Sequence, residues 1–534
     1  MRTRKGILVV LLALAALGLG SCAAHVQKAL TPRMSARESK PPSKRTGGRP
    51  ADHFGGPLHY SFVLGPEKAP VYIEETDTNG DGVLDKFTYR TGPSGKTPRT
   101  FTQDDLLNEK CRRIILCMDS VPVSTMKKLW NEGYFREFYP PSAMISTFPS
   151  MTFLSFTDMF RTSKAISYEE SYFDRRANKL AGGMSEHLHK DKFAEFYRRF
   201  DYQTPGSQGG TIYIAPKEVS ADDFNRMKES LKLINVQEEV IAYVGGTDGL
   251  AHKLGEAGLA AFLKNVDLAL RETILNSSSP LRIAVFSDHG NDYIPGRRVP
   301  LDEYFKKYLG IKELDKRLGL TGRPSVILPA YGLVNFAVVY TEDGREEKLA
   351  EFLTPIAGVD FVLFSRNGAA VVWGRKGKAR IVKKPSAEAY KYEQEAGDPL
   401  DLAPVVQALK KAGKLDAEGY ATDKDWYEAT KEHKYIDAIH RLYEASVDLV
   451  ENRANLIISM EDGYYYGAKF FDAFCKLQGT HGSLKRESTL GFVMTNYKTL
   501  PPYVRSSDMA DVLSLVKGRS VQTSIEREVP PASQ

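Results

Sequence analysis

The sequence contains little cysteine and little tryptophan, and its N-terminal apolar run is short. Four cysteines in 534 residues are too few for a disulfide framework to organise a fold of this size. The apolar run, Ile7–Leu19, is shorter than the ~20 residues that a membrane-spanning helix needs. With 42% hydrophobic and 26% charged residues, the composition is that of a folded globular chain, which argues against disordered and multi-pass membrane proteins.

The main part of the chain also lacks an excess of positive charge. The formal net charge is +6, but the first 50 residues hold 10 of the 73 Lys and Arg and 1 of the 67 Asp and Glu. The remainder therefore has a net charge of −3, and nothing in it calls for a nucleic-acid partner.

The N-terminal residues have the pattern of an export signal. Met1–Lys5 is basic, the apolar run follows, and small residues lead to a cysteine in Leu19-Gly20-Ser21-Cys22. This order resembles a bacterial lipoprotein signal, which implies that residues 1–22 include the signal peptide, with cleavage before Cys22 and lipidation of that residue. An ordinary signal peptide that precedes a cysteine is the alternative.

The segment 23–52 is rich in Lys, Arg, Ser, Pro and Gly and has few large apolar residues. This composition predicts a flexible tether, and its positive charge suits an anionic membrane surface. We therefore expect a lipid-anchored protein of the bacterial cell envelope, in contact with the membrane through Cys22. Ala23 favours the outer membrane.

Residues 53–103 are predicted to form a small β-rich segment with a candidate calcium loop. Side-chain oxygens recur at alternate positions in Asp77, Asn79 and Asp81, and Asp85 closes the loop. Oxygen ligands around a glycine turn suit Ca²⁺. A hairpin turn without an ion explains the same residues.

From residue 104 to about 500, strand-like and helical segments alternate. Strand-like Arg112–Met118, Glu239–Val244 and Arg282–Phe286 are separated by helical stretches such as Glu256–Ile274. This alternation predicts an α/β fold with a mainly parallel sheet covered by helices on both faces. An insertion or cap is expected at about 340–470, and a tail at 501–534.

The strand-like runs end in polar residues of one chemical kind. Candidate metal ligands follow three strand ends or lie in a glycine-bordered loop: Asp119, Asp248, His252, Asp288, His289 and His481. In parallel sheets, function gathers beyond the carboxyl ends of the strands. Carboxylates and imidazoles suit Zn²⁺ and similar divalent cations.

Five segments together resemble a known family. They are Ile114–Ser120, Phe148-Pro149-Ser150-Met151-Thr152-Phe153, Asp248–Gly255, Ser287-Asp288-His289-Gly290 and Gly479-Thr480-His481-Gly482. In this order they are similar to the motifs of the alkaline phosphatase superfamily, and most similar to its type I phosphodiesterase/nucleotide pyrophosphatase branch. The resemblance runs from about Arg112 to Asn496 and is weakest in the middle insertion.

The resemblance implies two metal sites and a threonine nucleophile. One ion, expected to be zinc, would be held by Asp248, His252 and His481, and the other by Asp119, Asp288 and His289 together with Thr152. Thr152 would attack phosphorus to give a phosphothreonine, which water then hydrolyses. Ser155 stands where the branch has an asparagine that holds the phosphoryl oxygens, so Ser155 is a candidate substrate-binding residue.

The resemblance predicts a metal-dependent phosphoric ester hydrolase, either a phosphodiesterase or a phosphatase. Related reactions stay open, namely hydrolysis of sulfuric esters and the transferase chemistry found in the superfamily. A catalytically inactive lipoprotein that binds a ligand or partner is the alternative from a different class.

Overall fold

The computed structural model describes residues 59–515, apart from 65–70, 79–83, 92–98, 103, 108–109, 184–193, 209, 278, 320–323, 470–471 and 473–474. The predicted signal, Cys22, the tether and most of the predicted tail lie outside the described residues, as do Asn79 and Asp81 of the candidate calcium loop. Among the described helices, none is both long and apolar enough to cross a bilayer.

A small antiparallel sheet stands at the N-terminal side of the chain. Its four strands pair in chain order and are β1 His59–Leu64, β2 Val71–Thr76, β3 Lys86–Thr91 and β4 Arg99–Thr102. Phe87 and Tyr89 alternate along β3 and are both buried, as expected for a strand with one face towards a core. The predicted small β-rich segment is confirmed.

The central sheet has seven strands in the order β24-β6-β23-β11-β5-β10-β9. They are β5 Arg112–Met118, β6 Ser142–Ile145, β9 Tyr202–Gln203, β10 Glu239–Val244, β11 Leu281–Phe286, β23 Leu490–Thr495 and β24 Tyr503–Arg505. The pairs β10/β5, β10/β9, β11/β5 and β24/β6 are parallel, and β23 is antiparallel to both of its neighbours. The prediction of a mainly parallel sheet is confirmed.

Both faces of the central sheet are buried. Along β5, Ile114 and Leu116 belong to one hydrophobic cluster, whereas Ile115 and Cys117 belong to another. Alternate residues of a strand point to opposite faces, so the continuous apolar run in the sequence reflects burial on both sides.

Helices contribute to the cover on each face. They are α1 Val123–Asn131, α2 Thr152–Met159, α3 Pro216–Leu231, α4 Gly246–Asn276, α5 Leu301–Leu309, α6 Glu346–Leu353, α7 Ala403–Lys411, α8 Asp423–Thr430, α9 Ala438–Val447, α10 Arg486–Thr489 and α11 Met509–Val512. Residues of α1, α3 and α4 share the cluster of Ile114 and Leu116, and residues of α2 and α9 share the other.

A second, eight-stranded sheet forms most of the inserted part. Its order is β13-β15-β21-β16-β17-β18-β19-β20, with every pair antiparallel. The strands are β13 Val326–Ile327, β15 Phe336–Thr341, β16 Val359–Arg366, β17 Ala369–Gly374, β18 Gly377–Lys383, β19 Ala389–Gly397, β20 Ala421–Thr422 and β21 Leu456–Met460. Phe361 and Leu363 of β16 belong to the same hydrophobic cluster as Ile115 of β5, so the two sheets share one buried core.

Short strands complete the structure. A three-stranded sheet contains β12 Arg297–Arg298, β14 Leu333–Val334 and β22 Tyr464–Gly467, and a hairpin contains β7 Ser171–Asp174 and β8 Lys179–Gly182.

Candidate metal centre and nucleophile

Candidate metal ligands follow three parallel strands and lie at one edge of the central sheet. β5 ends immediately before Asp119, β11 ends two residues before Asp288, and β10 is followed at once by α4, which carries Asp248 and His252. Because these strands are parallel and paired in register, their carboxyl ends meet at the same edge.

The single reversed strand brings the last histidine to this edge. Leu490, the first residue of β23, pairs with Ile145, the last residue of β6. The chain before β23 and the chain after β6 therefore lie at the same end of the sheet. The first of these segments carries His481 and the second carries Thr152.

The six candidate ligands form two groups. Their ligand atoms lie within 4.8 Å of one another in each group, and all six residues are buried. The groups are Asp248, His252 and His481, and Asp119, Asp288 and His289, the same division that the family resemblance implies. The rings of His289 and His481 stack with a centroid distance of 3.8 Å, so the two groups adjoin.

In all three histidines, Nε2 is the ring nitrogen that faces the aspartate carboxylates of the ligand groups. Nδ1 of His252 lies 2.8 Å from the Gly479 carbonyl, Nδ1 of His481 lies 2.8 Å from the Ser150 carbonyl, and Nδ1 of His289 lies 3.0 Å from its neighbour's carbonyl. A carbonyl only accepts, so Nδ1 carries the proton and donates it. Nε2 then keeps its lone pair, which is the form that binds a metal.

Several buried polar atoms in these groups have no hydrogen-bond partner. They are Asp248 Oδ1, His252 Nε2 and Asp288 Oδ2. Asp248 Oδ1 and His252 Nε2 are 3.1 Å apart, close to the ~3.4 Å between two ligands in a tetrahedral zinc site with bonds of ~2.1 Å. Since a buried polar atom without a partner is unfavourable, these residues fit divalent cations.

The pKa values of Asp288, His289 and His481 agree with a site that lacks positive charge of its own. Burial raises the pKa of Asp288 to about 6 and lowers the pKa of His289 to about 4. Burial, together with the nearby His289, also lowers the pKa of His481 to about 3. Both imidazoles are therefore neutral near pH 7 and available as ligands.

Thr152 lies next to the second group. It is the first residue of α2, and its Oγ1 is 3.4 Å from Asp119 Oδ1 and 3.3 Å from His289 Nε2. The hydroxyl of Tyr243, on β10, donates a 2.5 Å hydrogen bond to Asp119 Oδ2. At the start of a helix, free backbone N–H groups favour negative charge, so the position suits an oxygen that attacks phosphorus.

The other predicted site residues lie elsewhere. Ser155 is one turn further along α2 and fully buried, with its Oγ 2.5 Å from Ser146 Oγ, so its contact with substrate stays a prediction. In the candidate calcium loop, both carboxylate oxygens of Asp85 accept hydrogen bonds from Thr78, and Asp77 is buried. Calcium binding there stays a prediction as well.

Sequence reasoning missed residues that lie outside the motifs. Arg441, from α9, donates to the Thr147 carbonyl and to Ser150 Oγ, just before Thr152. Asp292 Oδ1 accepts from the backbone N–H of Thr480 at 2.8 Å, which fixes the loop of His481. Asp292 follows Asp288 by four residues, and this proximity was the one available signal.

No protein-family model matches this chain, and no match was found among curated protein sequences. Solved structures that resemble it include murine ectonucleotide pyrophosphatase/phosphodiesterase 5, at 11% identity and a TM-score of 0.42 over 75% of this chain and 94% of that one. The human protein has 12% sequence identity to this chain and a TM-score of 0.42, and the match covers 75% of this chain and 93% of that one. Phosphonoacetate hydrolase from Sinorhizobium meliloti, in complex with phosphonoformate, has 14% sequence identity and a TM-score of 0.41, and the match covers 79% of this chain and 97% of that one. Similarity at this level does not assign an activity, which has to be inferred from the residues of the site.

Proposed function

We propose that this protein hydrolyses phosphoric esters, with Thr152 as the nucleophile and two divalent cations, expected to be Zn²⁺, held by the two ligand groups. The observation that carries the proposal is the position of the Thr152 hydroxyl, 3.4 Å from Asp119 and 3.3 Å from His289. A hydroxyl nucleophile beside two adjoining cation sites is what displacement at phosphorus requires.

The cations would supply positive charge that stabilises the oxygens around phosphorus and lowers the pKa of a bound hydroxyl. Asp119 Oδ1 accepts a hydrogen bond from the Thr152 hydroxyl and so orients the oxygen. Thr152 Oγ1 loses its proton and forms a bond to phosphorus as the bond from phosphorus to the ester oxygen breaks, and the departing alkoxide takes up a proton from water, which balances the proton that Thr152 released. Water then cleaves the phosphothreonine, which releases phosphate, or a phosphate monoester from a diester, and restores the hydroxyl.

The test compares Thr152→Ala with the parent protein loaded with Zn²⁺, using p-nitrophenyl phosphate and bis-p-nitrophenyl phosphate. We expect kcat to fall by at least about 10³-fold, as when other nucleophiles are removed, while Thr152→Ser retains measurable turnover. Thr157→Ala is the matched control, because Thr157 lies on the same helix and donates to the Phe153 carbonyl instead.

Metal analysis completes the test. We expect two bound ions per chain in the parent protein, one after His252→Ala, and loss of turnover on chelation. Thr152→Ala activity within tenfold of the parent would refute the nucleophile, and a chain that binds no metal would favour the inactive binding lipoprotein.

The cellular setting follows from the sequence alone. We propose that residues 1–22 hold the export signal and that the mature chain is anchored through lipid on Cys22 at the bacterial envelope. The tether 23–52 would connect the anchor to the β-rich segment and the catalytic part. Globomycin-sensitive processing and loss of membrane association in Cys22→Ala would test this assignment.

A further inference from the structure

Two of the candidate ligands are carried by one helix, so the position of that helix places both of them. Asp248 and His252 lie in the first two turns of α4, four residues apart and therefore on the same face. The ligands of a preorganised site have to be held within ~0.5 Å of their working positions. The first turn of α4 therefore has to be fixed, either by its own cap or by contacts from other elements.

The start of α4 is capped by residues from other elements. Its N-cap residue is Gly245, and a glycine has no side chain that could accept from the first N–H groups of the helix. The Gly245 N–H instead donates to Thr204 Oγ1 at 2.6 Å, and the Gly246 N–H donates to Asp223 Oδ2 at 2.7 Å. Thr204 Oγ1 in turn donates to the same Asp223 oxygen at 2.7 Å. A carboxylate on α3 therefore takes the place of the missing cap.

The Asp223 side chain is enclosed and fully used as an acceptor. It is 0% exposed, and its second oxygen, Oδ1, accepts from the Tyr202 hydroxyl. Burial raises the pKa of Asp223, and its hydrogen bonds partly offset that rise. The N-terminal end of a helix carries partial positive charge, which favours a carboxylate at this position.

Helix α3 also approaches the start of α4 closely. A Cβ atom on Gly246 would lie 2.9 Å from Asp223 Oδ2 and 3.1 Å from Ser220 Cα, so this approach requires a glycine. Ser220 lies one turn before Asp223 and shares its hydroxyl proton between the Pro216 carbonyl at 2.6 Å and the Gly246 carbonyl at 2.9 Å. The peptide groups on both sides of Gly246 are therefore held from α3.

We propose that Asp223 is a positioning residue for the first ligand group: it fixes the start of α4 and thereby places Asp248 and His252 for the cation that they would share with His481. The inference rests on the proposed function for the cation itself. A residue that only supports the fold would affect both ligand groups alike. A residue that acts through the start of α4 affects the binding of one cation more than the binding of the other.

The test measures Zn²⁺ affinity by competitive chelator titration, in which the binding step that is lost in His252→Ala identifies the first ligand group. We expect Asp223→Ala to weaken that step by about 10–100-fold, as when other groups that orient metal ligands are removed, and to leave the second step within about threefold. Asp223→Asn keeps the shape and an oxygen for the Gly246 N–H, so we expect a smaller loss in the same step.

Asp222→Ala is the matched control on the same helix. The Asp222 carboxylate accepts from Arg226 and from Gln208 and has no hydrogen bond to α4 among those of the described residues. We expect this variant to keep both affinities of the parent protein. If Asp223→Ala does not fold, Asp223→Asn decides by the same comparison of the two steps.

A second measurement reports the position of α4 without metal. Amide hydrogen exchange of residues 245–252 in the metal-free protein shows how readily the first turns open. We expect Asp223→Ala to speed this exchange by about tenfold or more, because buried donors lose their acceptor, while the amides of β5 keep their parent rates. Unchanged exchange at 245–252 would overturn the action through α4.

The outcomes separate failure of this inference from failure of the catalytic proposal. Equal weakening of both steps in Asp223→Ala overturns the positioning role, and so does an unchanged first step, even with faster exchange. A parent protein that binds two ions but hydrolyses neither p-nitrophenyl ester refutes the catalytic proposal, and the titration still decides this one. A parent protein that binds no metal overturns both, because there is then no ligand group to place.

Discussion

Arg441 provides the sharpest test of how the inserted part supports the site. Its guanidinium is 4% exposed and donates to the Thr147 carbonyl at 2.8 Å, to Thr489 Oγ1 at 2.9 Å and to the Ile436 carbonyl at 3.0 Å. A longer bond reaches Ser150 Oγ at 3.2 Å. Arg441 therefore connects α9 to the segments on either side of the sheet edge, one leading to Thr152 and one following His481.

Two large contributions to stability nearly cancel at this position. Replacement by methionine would remove the arginine donor from Thr489 Oγ1 and from the Ile436 carbonyl, at about 1–3 kcal/mol each, whereas the Thr147 carbonyl keeps a 3.0 Å hydrogen bond from Ser150 Oγ. It would also remove a buried charge: burial lowers the pKa of Arg441 from the ordinary arginine value to about 9, equivalent to about 5 kcal/mol. We therefore expect Arg441→Met to change the free energy of unfolding by only about 1 kcal/mol.

The effect on activity should be larger than the effect on stability. The Ser150 carbonyl accepts from His481 Nδ1, so movement of this segment would misplace both a metal ligand and Thr152. We expect kcat/KM to fall by about 10–100-fold, as when residues that orient metal ligands are lost. Urea unfolding and p-nitrophenyl ester hydrolysis measure the two effects.

Arg453→Met is the matched control, because the Arg453 guanidinium donates to the exposed Val447 carbonyl on the same inserted part. Arg441→Lys keeps a charge without the fork of donors, and we expect it to have intermediate activity. Unchanged activity in folded Arg441→Met would refute the positioning role. A loss of more than about 4 kcal/mol would show that Arg441 acts mainly on the fold.

Two further predictions concern other buried polar groups. Tyr243→Phe removes the hydrogen bond to Asp119 Oδ2 and should weaken one of two metal-binding steps by about 10–100-fold in a competitive chelator titration, whereas two unchanged affinities would contradict the role. Glu137 shares Arg271 with two other buried carboxylates, and burial raises its pKa well above 4.5 despite Arg271. The Glu137 carboxyl therefore stays protonated in the folded protein at pH values at which it is ionised in the unfolded chain. The contribution of Glu137 to stability is full below about pH 4.5 and is lost as the pH rises. Glu137→Gln should accordingly gain stability relative to the parent as the pH rises above about 5 in urea unfolding, by up to ~1.4 kcal/mol per pH unit, and a relative loss would contradict this account.

The candidate ligand groups could be predicted from the sequence better than the residues around them, because ligands at strand ends follow apolar runs that the sequence shows. Asp119 follows an apolar run directly and Asp288 follows one after a single serine, and the structure places β5 at Arg112–Met118, as expected. The reversal of β23 left no such signal, since strand direction depends on pairing between distant segments. Arg441 is defined by its burial and by a partner far along the chain, the Thr147 carbonyl, which spacing cannot reveal.

The long chain segments between the candidate ligands mean that a bound cation would also affect unfolding. His252 contacts a loop that lies 227 residues later, through its hydrogen bond to Gly479, and His481 in that loop belongs to the same ligand group. A cation bound by this group would act as a removable cross-link between two chain segments. The chain between them contains the whole eight-stranded sheet. Closing a loop of 100 residues restricts the unfolded chain by about 4.7 kcal/mol in the entropic treatment of disulfides, and a longer loop by slightly more. Chelation should therefore lower the free energy of unfolding as well as stop turnover, and a metal-depleted chain should be cleaved more readily by proteases.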